Sequence, residues 1–311
     1  MPTDYFSDRE RAPRARTEEV ISFGAWKALG SLVISKVEDG SLGIDFPATC
    51  SDGYIACGCD AGRFVSAMLG EIPELAEWHE SVFKGDVYLP NLLGQNQHFQ
   101  DKLPMTLEIL DVIEFCYKHV ATVQEIDYHG YLSHRHIRFE RPSGQADFRE
   151  TANLILARNG LVYELAPNGK VVRLGPPVLR EALATVKFAT GDSEVDSFLK
   201  EAVRKYSNPD PNVRKEALEK LWDAWERLKT LEGGDKKSSI RTLLDEAAPQ
   251  PVLRKVVEEA AQNATSAGNS LMIRHTEVGK EPIERSEVVD YLFHALFALI
   301  YFVLRSTGRV S

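Results

Sequence analysis

Beyond residue 190, apolar residues recur every three or four positions, which is the spacing of amphipathic helices. One of these helices begins at Asp210-Pro211, where the carboxylate caps the first turn and proline takes the first helical position. The predicted helices cover residues 193–206, 211 to about 228, 239–247, 252–275 and 286–305. Long helices joined by short polar loops predict an antiparallel helical bundle over residues 191–311.

The preceding part of the chain mixes helical and β patterns. Up to about residue 100 the periodicity is too weak to define elements, whereas residues 107–117 have the apolar spacing of a core helix. A capping box at Asp147 and Glu150 predicts a second helix, which ends at Asn159-Gly160. Two β-type runs, 161–166 and 170–174, then flank Pro167-Asn168-Gly169 as a hairpin. The fold class is therefore mainly α: a helical bundle preceded by an α+β domain, residues 1–190, with a small β-hairpin.

A helix followed by a hairpin is also the order found in winged-helix DNA-binding proteins. Four cations are suitably placed along this stretch to contact DNA phosphates: Arg149, Arg158, Lys170 and Arg173. The acidic residues Glu150 and Glu164 among them oppose that function. The winged helix is therefore kept as an alternative to a purely structural helix and hairpin.

Composition and charge narrow the class of protein. With 311 residues, 43% of them hydrophobic, the chain can bury substantial cores, which excludes a wholly disordered protein. Its formal net charge of −9 argues against a broad basic surface, so any nucleic-acid contact must be local. The N-terminus is charged where a secretory signal would be apolar, so we expect a cytoplasmic protein.

The apolar run 288–304 reaches the minimum length of a membrane span. It carries Asp290 and His294 one helical turn apart, and these polar side chains would be costly facing lipid. We therefore expect a buried helix or a subunit interface, and no membrane. For His294, a satisfied position inside the protein is preferred over a catalytic one.

Two clusters contain residue types that bind zinc. Cys50, Cys57 and Cys59 lie within ten residues, but no second cysteine pair follows, so buried free thiols are the alternative. His134 and His136 would share one face of a strand, and His129 or Glu140 can add a further zinc ligand. The alternative is that the histidines form a polar strand edge or a patch that faces RNA. Both questions stay open, and we assign no metal or cofactor.

Arg274 and His275 are adjacent near the predicted end of the fourth bundle helix. Cations at a helix C-terminus favourably offset the helix dipole, so the pair does not require a catalytic explanation. Its setting is nevertheless unusual, because a polar loop and then the most apolar helix of the chain follow it.

Residues 191–305 resemble a HEPN domain, the helical bundle of many prokaryotic toxins and antiviral proteins. The segments that carry this resemblance are YSNPDPNVRKEALEKLWDAWE (206–226), IRHTE (273–277) and YLFHALFALI (291–300). The upstream part is similar to the N-terminal domain of AbiJ-like abortive-infection proteins. Its matching segments are YFSDRE (5–10), ILDVIEF (109–115) and FRETANLILAR (148–158) with the hairpin that follows.

The resemblance implies a homodimer that cleaves RNA without a metal at a cleft between subunits, in phage defence, with a sensing N-terminal domain. The family motif is Arg, a polar residue, three to five others and then His. Arg274 and His275 match its first two positions, whereas residues 279–281 are Gly, Lys and Glu, so the final His is missing. A catalytically inactive regulatory dimer is therefore the alternative. An antitoxin or another protein partner is also compatible with the resemblance.

The chemistry of metal-free RNA cleavage assigns roles to the pair. A base must take the 2′-OH proton, an acid must protonate the leaving 5′ oxygen, and a cation must stabilise the phosphorane. The planar guanidinium of Arg274 can stabilise the negative charge of the phosphorane, and the imidazole of His275 can take up and release the protons. Two subunits would supply two copies of each side chain, so equivalent residues can serve as acid and base. We expect Asn269 and Lys280, on either side of the pair, to contact RNA.

Overall fold

A computed structural model describes residues 14–83, 85–175, 186–233, 235–274 and 279–310, together with Phe6, Glu10 and Leu183. The chain divides into two compact units, residues 1–173 and 174–311. This boundary lies ahead of the one predicted between residues 190 and 191. The difference arises because Leu183 and Phe188 belong to the core of the second unit, where Phe188 also pairs with Val310.

The N-terminal unit combines helices with three two-stranded antiparallel sheets. Its helices are α1 (Phe23–Glu38), α2 (Ala61–Glu71), α3 (Pro73–Phe83), α4 (Leu89–Leu92), α5 (Thr106–His119) and α6 (Arg141–Arg158), with a 3-10 turn at Gln97–Phe99. Its strands are β1 (Pro47–Thr49), β2 (Ala56–Cys59), β3 (Thr122–His129), β4 (His134–Glu140), β5 (Tyr163–Leu165) and β6 (Val171–Arg173). The mixed helix and strand content predicted for this part of the chain is confirmed.

The core of the N-terminal unit forms mainly between α1, α2, α5 and α6. Trp26 of α1, Phe64 of α2 and Ile113 of α5 are among its fully buried side chains. The predicted core helix at residues 107–117 is confirmed as α5, whose apolar face lies in this core. Ser22 caps α1 by accepting a hydrogen bond from the backbone N–H of Ala25.

The predicted start of α6 is wrong. The helix begins at Arg141 rather than near Asp147, and its cap is Glu140, whose carboxylate accepts the backbone N–H of Ser143 at 2.9 Å. Pro142 at the start of the helix lacks only an N–H that the first turn leaves unpaired, so it does not prevent the earlier start. Asp147 therefore lies within α6, where it forms an ion pair with Lys36 of α1 at 2.8 Å.

The predicted helix end and hairpin are confirmed. Gly160 follows α6 with a φ of +72°, and β5 and β6 then pair around a turn in which Gly169 has a φ of +79°. The hairpin does not present Arg173 to DNA, because this side chain is buried and its Nη2 lies 2.5 Å from Glu19. Lys170 forms an ion pair with Glu114 at 2.8 Å. The structure thus favours a structural hairpin.

The C-terminal unit is helical, as predicted. Its helices are α7 (Ser193–Tyr206), α8 (Pro211–Leu228), α9 (Lys236–Ala247), α10 (Pro251–Ser270) and α11 (Ser286–Ser306). They surround one apolar core, to which α8 and α11 contribute most of the large side chains. Asp210 caps α8 as predicted, accepting the N–H of Asn212 at 2.8 Å. That the arrangement is HEPN-like stays a prediction.

Helix α11 is long and apolar enough to cross a membrane by length and composition. In the C-terminal unit it packs through Phe293, Phe297 and Ile300, all buried in the core. The Phe293 ring stacks on Tyr206 of α7, with ring centroids 3.9 Å apart. This packing agrees with the expectation of a core helix.

Candidate functional site

Arg274 lies beyond a helix end, in a segment whose two flanks pair with each other. Helix α10 ends at Ser270, not near residue 275 as predicted, so Arg274 lies beyond the last turn. The Glu281 N–H donates to the Ser270 carbonyl at 3.0 Å, and the Met272 N–H donates to the Glu281 carbonyl at 2.7 Å. Two buried side chains, Ile273 and Ile283, anchor the loop in the core of the C-terminal unit.

An ion pair to α8 orients Arg274. Its Nη2 lies 2.5 Å from Oδ1 of Asp223, and 43% of the Arg274 side chain is exposed. The explanation from the helix dipole does not apply at this distance from the end of α10. Arg274 is therefore a partly exposed side chain whose guanidinium is held by a carboxylate.

Three further residues were predicted for this site: His275, Lys280 and Asn269. His275 lies outside the described residues. Lys280 donates from Nζ to the carbonyl of Gly268 at 2.7 Å, so it stabilises the C-terminus of α10. Asn269 is exposed in the last turn of α10. Arg274 and Lys280 thus both lie between α10 and α11, but Lys280 also bonds to the backbone of α10.

The ring of Trp222 in α8 packs directly on Gly268 in the last turns of α10. A Cβ atom at Gly268 would lie 2.0 Å from Cη2 of Trp222, so only glycine allows this spacing. Trp222 precedes Asp223, the partner of Arg274. The sequence alone gave no signal for this role of Gly268, because the contact joins two helices that are distant in the chain.

His294 occupies a polar cluster inside the C-terminal unit. The Tyr206 hydroxyl donates to Oδ1 of Asp290 at 2.9 Å and lies 2.6 Å from Nε2 of His294. Arg214 is fully buried and donates to the Pro209 carbonyl and to the Ser286 hydroxyl. His294 is therefore satisfied within the fold, as expected, and we do not assign it a catalytic role.

A second group of functional side chains lies in the N-terminal unit. Cys50, His129, His134 and His136, here called the Cys–His cluster, place four metal-ligand atoms within 4.8 Å of one another. His129 and His134 are directly opposite in the β3–β4 ladder, and His136 lies two residues further on the same face, as predicted. The turn between β1 and β2 carries Cys50, which sequence analysis did not connect with the histidines.

Cys57 and Cys59 do not join Cys50 as the three-thiol hypothesis required. The Cys57 thiol donates to the Ala48 carbonyl at 3.4 Å, and Cys59 packs against the core of the N-terminal unit. Burial raises the pKa of the Cys59 thiol to about 12, with the neighbouring carboxylates of Asp60 and Asp39 acting in the same direction. Cys59 is therefore a protonated, unreactive thiol at neutral pH.

No protein-family model, curated protein or solved structure matches this chain.

Proposed function

We propose that this protein acts on RNA through its C-terminal unit, as a HEPN-like homodimer of the abortive-infection type. Arg274 binds and neutralises the phosphate, and His275 transfers protons in cleavage that uses no metal. The observation that carries this proposal is the partly exposed Arg274 side chain, held by an ion pair with Asp223.

Fixing the guanidinium matters because an arginine side chain normally loses considerable rotational freedom when it binds an anion. The contact with Asp223 reduces that loss before RNA arrives, and the planar group matches two phosphate oxygens. Because the chain has a net charge of −9, a local and oriented cation is the kind of RNA contact that this protein can offer.

Exposed apolar residues on two helices of the same unit support a homodimer. Val252, Leu253 and Val256 lie on the outer side of α10, and Tyr291 lies on α11. Val252 is 81% exposed and Tyr291 is 70% exposed. Pairing with a second copy would cover such side chains. In the proposed dimer, two copies of Arg274 and His275 supply both an acid and a base.

A second candidate is a HEPN-like dimer that binds RNA or a protein without cleavage. Two observations favour it: residues 279–281 lack the histidine of the family motif, and Lys280 is engaged by the Gly268 carbonyl. This candidate shares the proposed binding surface, so RNA binding and RNA cleavage need separate measurements.

RNA binding is tested with Arg274→Ala, and Arg285→Ala serves as the matched control. Arg285 lies in the same unit and is 73% exposed, but outside the motif. With a labelled single-stranded RNA and fluorescence anisotropy, we expect Arg274→Ala to raise Kd about 10-fold, which corresponds to about 1.4 kcal/mol. Arg285→Ala should change Kd less than about 2-fold. Equal effects of the two variants, or no RNA binding at low salt, would contradict the proposal.

A further inference from the structure

We propose that the N-terminal unit binds one Zn²⁺ ion through the Cys–His cluster. The ligand atoms would be Sγ of Cys50, Nδ1 of His129 and Nε2 of His134 and His136. This site is separate from the RNA-directed surface proposed for the C-terminal unit and does not depend on it.

The spacing of the four residues suits a tetrahedral ion. The three imidazole centroids form a nearly regular triangle with sides of 5.3, 5.3 and 5.5 Å. Sγ of Cys50 lies 3.3 Å from Nδ1 of His129, close to the separation of sulfur and nitrogen ligands on one zinc ion. With all ligand atoms within 4.8 Å, shifts of about 1 Å would bring them to zinc bonding distances.

Two buried nitrogen atoms provide an independent observation. Nε2 of His134 and Nε2 of His136 are both buried and have no hydrogen-bond partner. Leaving a buried polar atom unpaired costs about 1–3 kcal/mol, and two such atoms in one cluster require an explanation. A metal ion bound by both nitrogens removes this cost.

The surrounding carboxylates orient the rings for this role. Nδ1 of His136 lies 3.0 Å from Oδ1 of Asp127, which leaves its Nε2 for the metal. Nε2 of His129 lies 3.7 Å from Oδ2 of Asp52, on the side of the ring opposite the Cys50 contact. The Asp52 backbone N–H donates to Sγ of Cys50 at 3.3 Å and so holds the sulfur in place beside the histidines.

The ligand set favours zinc and a structural role. One thiolate and three neutral imidazoles suit Zn²⁺, whereas Mg²⁺ and Ca²⁺ prefer oxygen ligands. Binding displaces one proton from the Cys50 thiol, so the complex forms with release of H⁺. Four protein ligands leave no position for a reacting water, and the ion would join the β1–β2 turn to the β3–β4 hairpin.

The same cluster contains an arrangement known from thiol nucleophiles. The Cys50 thiol contacts the His129 imidazole, whose other nitrogen faces the Asp52 carboxylate. Cys50 is only 2% exposed, however, and two further imidazoles surround it. A nucleophile has to reach its substrate, so this burial favours the metal. A buried zinc ligand should react slowly with alkylating reagents, whereas a nucleophile should react fast.

Cobalt binding by the full-length protein tests the site directly. After removal of bound metal with a chelator, titration with Co²⁺ should give one equivalent of tetrahedral visible absorption and a thiolate charge-transfer band. Zn²⁺ should displace Co²⁺ and raise the thermal midpoint of the metal-free protein. Absence of tetrahedral cobalt absorption in the wild-type protein would overturn the proposal, whatever the variants do.

Variants identify the ligands. Cys50→Ser should abolish the charge-transfer band and weaken Zn²⁺ binding at least 100-fold, whereas the matched control Cys57→Ser should change neither. Asp127→Asn keeps all four ligands and should weaken Zn²⁺ binding about 10-fold through His136. Loss of the band in Cys57→Ser but not in Cys50→Ser would overturn the assignment. Rapid alkylation of Cys50 in protein saturated with Zn²⁺ would also overturn it and indicate a nucleophile.

Discussion

Replacing Gly144 with alanine is expected to lower the free energy of unfolding of the N-terminal unit by about 3 kcal/mol. A Cβ atom at this position would lie 2.2 Å from the carbonyl carbon of Ala121 and 2.3 Å from the backbone nitrogen of Thr122. Because both neighbours are backbone atoms, relief requires moving α6 away from the start of β3. That cost exceeds the gain of about 1 kcal/mol that alanine normally brings to a helix.

Gly70→Ala is the control for Gly144→Ala. Gly70 also lies in a helix of the N-terminal unit, α2, but its added Cβ would meet no atom within 4 Å beyond the adjoining residues and backbone of its own helix. We expect Gly70→Ala to be neutral or to stabilise by up to about 1 kcal/mol. Urea unfolding gives the free energies, and hydrogen exchange with peptide resolution shows the location. If Gly144→Ala unfolds no more easily than Gly70→Ala, the described packing of α6 is wrong.

Gly268→Ala should have a comparable effect on the C-terminal unit, a loss of about 3 kcal/mol. The added Cβ atom would lie 2.0 Å from Cη2 and 2.1 Å from Cζ2 of Trp222, whose ring is buried and has little room to move. Relief separates α10 from α8, and because Asp223 follows Trp222 in α8, it also disturbs the Asp223–Arg274 ion pair. Weaker RNA binding should therefore accompany the loss of stability.

A double-mutant cycle isolates this contact. Trp222→Phe removes the outer ring atoms that collide with the added Cβ, so Gly268→Ala should cost clearly less in that background than in the wild-type protein. Urea unfolding of the four proteins gives the coupling energy, expected at about 1–2 kcal/mol. Costs that are the same in both backgrounds would show that Trp222 does not limit the approach of α10.

Local signals in the sequence predicted much of the fold. The apolar spacing and the Asp210-Pro211 start led to α8, and Asn159-Gly160 marked the end of α6. Three element boundaries were missed. Helix α9 begins at Lys236, capped by Asp235, rather than at Ser239, and the other two boundaries have physical reasons. Glu140, an uncommon cap, starts α6 ahead of Asp147, and α10 stops at Ser270 because burial of Ile273 and pairing with Glu281 draw the chain away from the helix axis.

The Cys–His cluster could be predicted only in part, because some of its members are distant in sequence. Alternation along one strand placed His134 and His136 on one face, and that prediction is confirmed. Cys50 was missed because it lies 79 residues from His129, and only the packing of β2 against β4 brings its turn to the histidines. Likewise, the ion pair that orients Arg274 joins residues 51 apart, so no local pattern could reveal it.

RNA cleavage by the full-length protein, with Zn²⁺ left on the Cys–His cluster and no Mg²⁺ or Mn²⁺ added, tests the central proposal most directly. Since the proposed reaction begins at the 2′-OH, it should leave 5′-hydroxyl ends, spare an all-deoxy oligonucleotide and fall by at least about 100-fold in both Arg274→Ala and His275→Ala. Arg285→Ala should cleave at the wild-type rate. RNA that stays intact at high protein concentration, or that Arg274→Ala cuts as fast as the wild-type protein, would contradict the proposal.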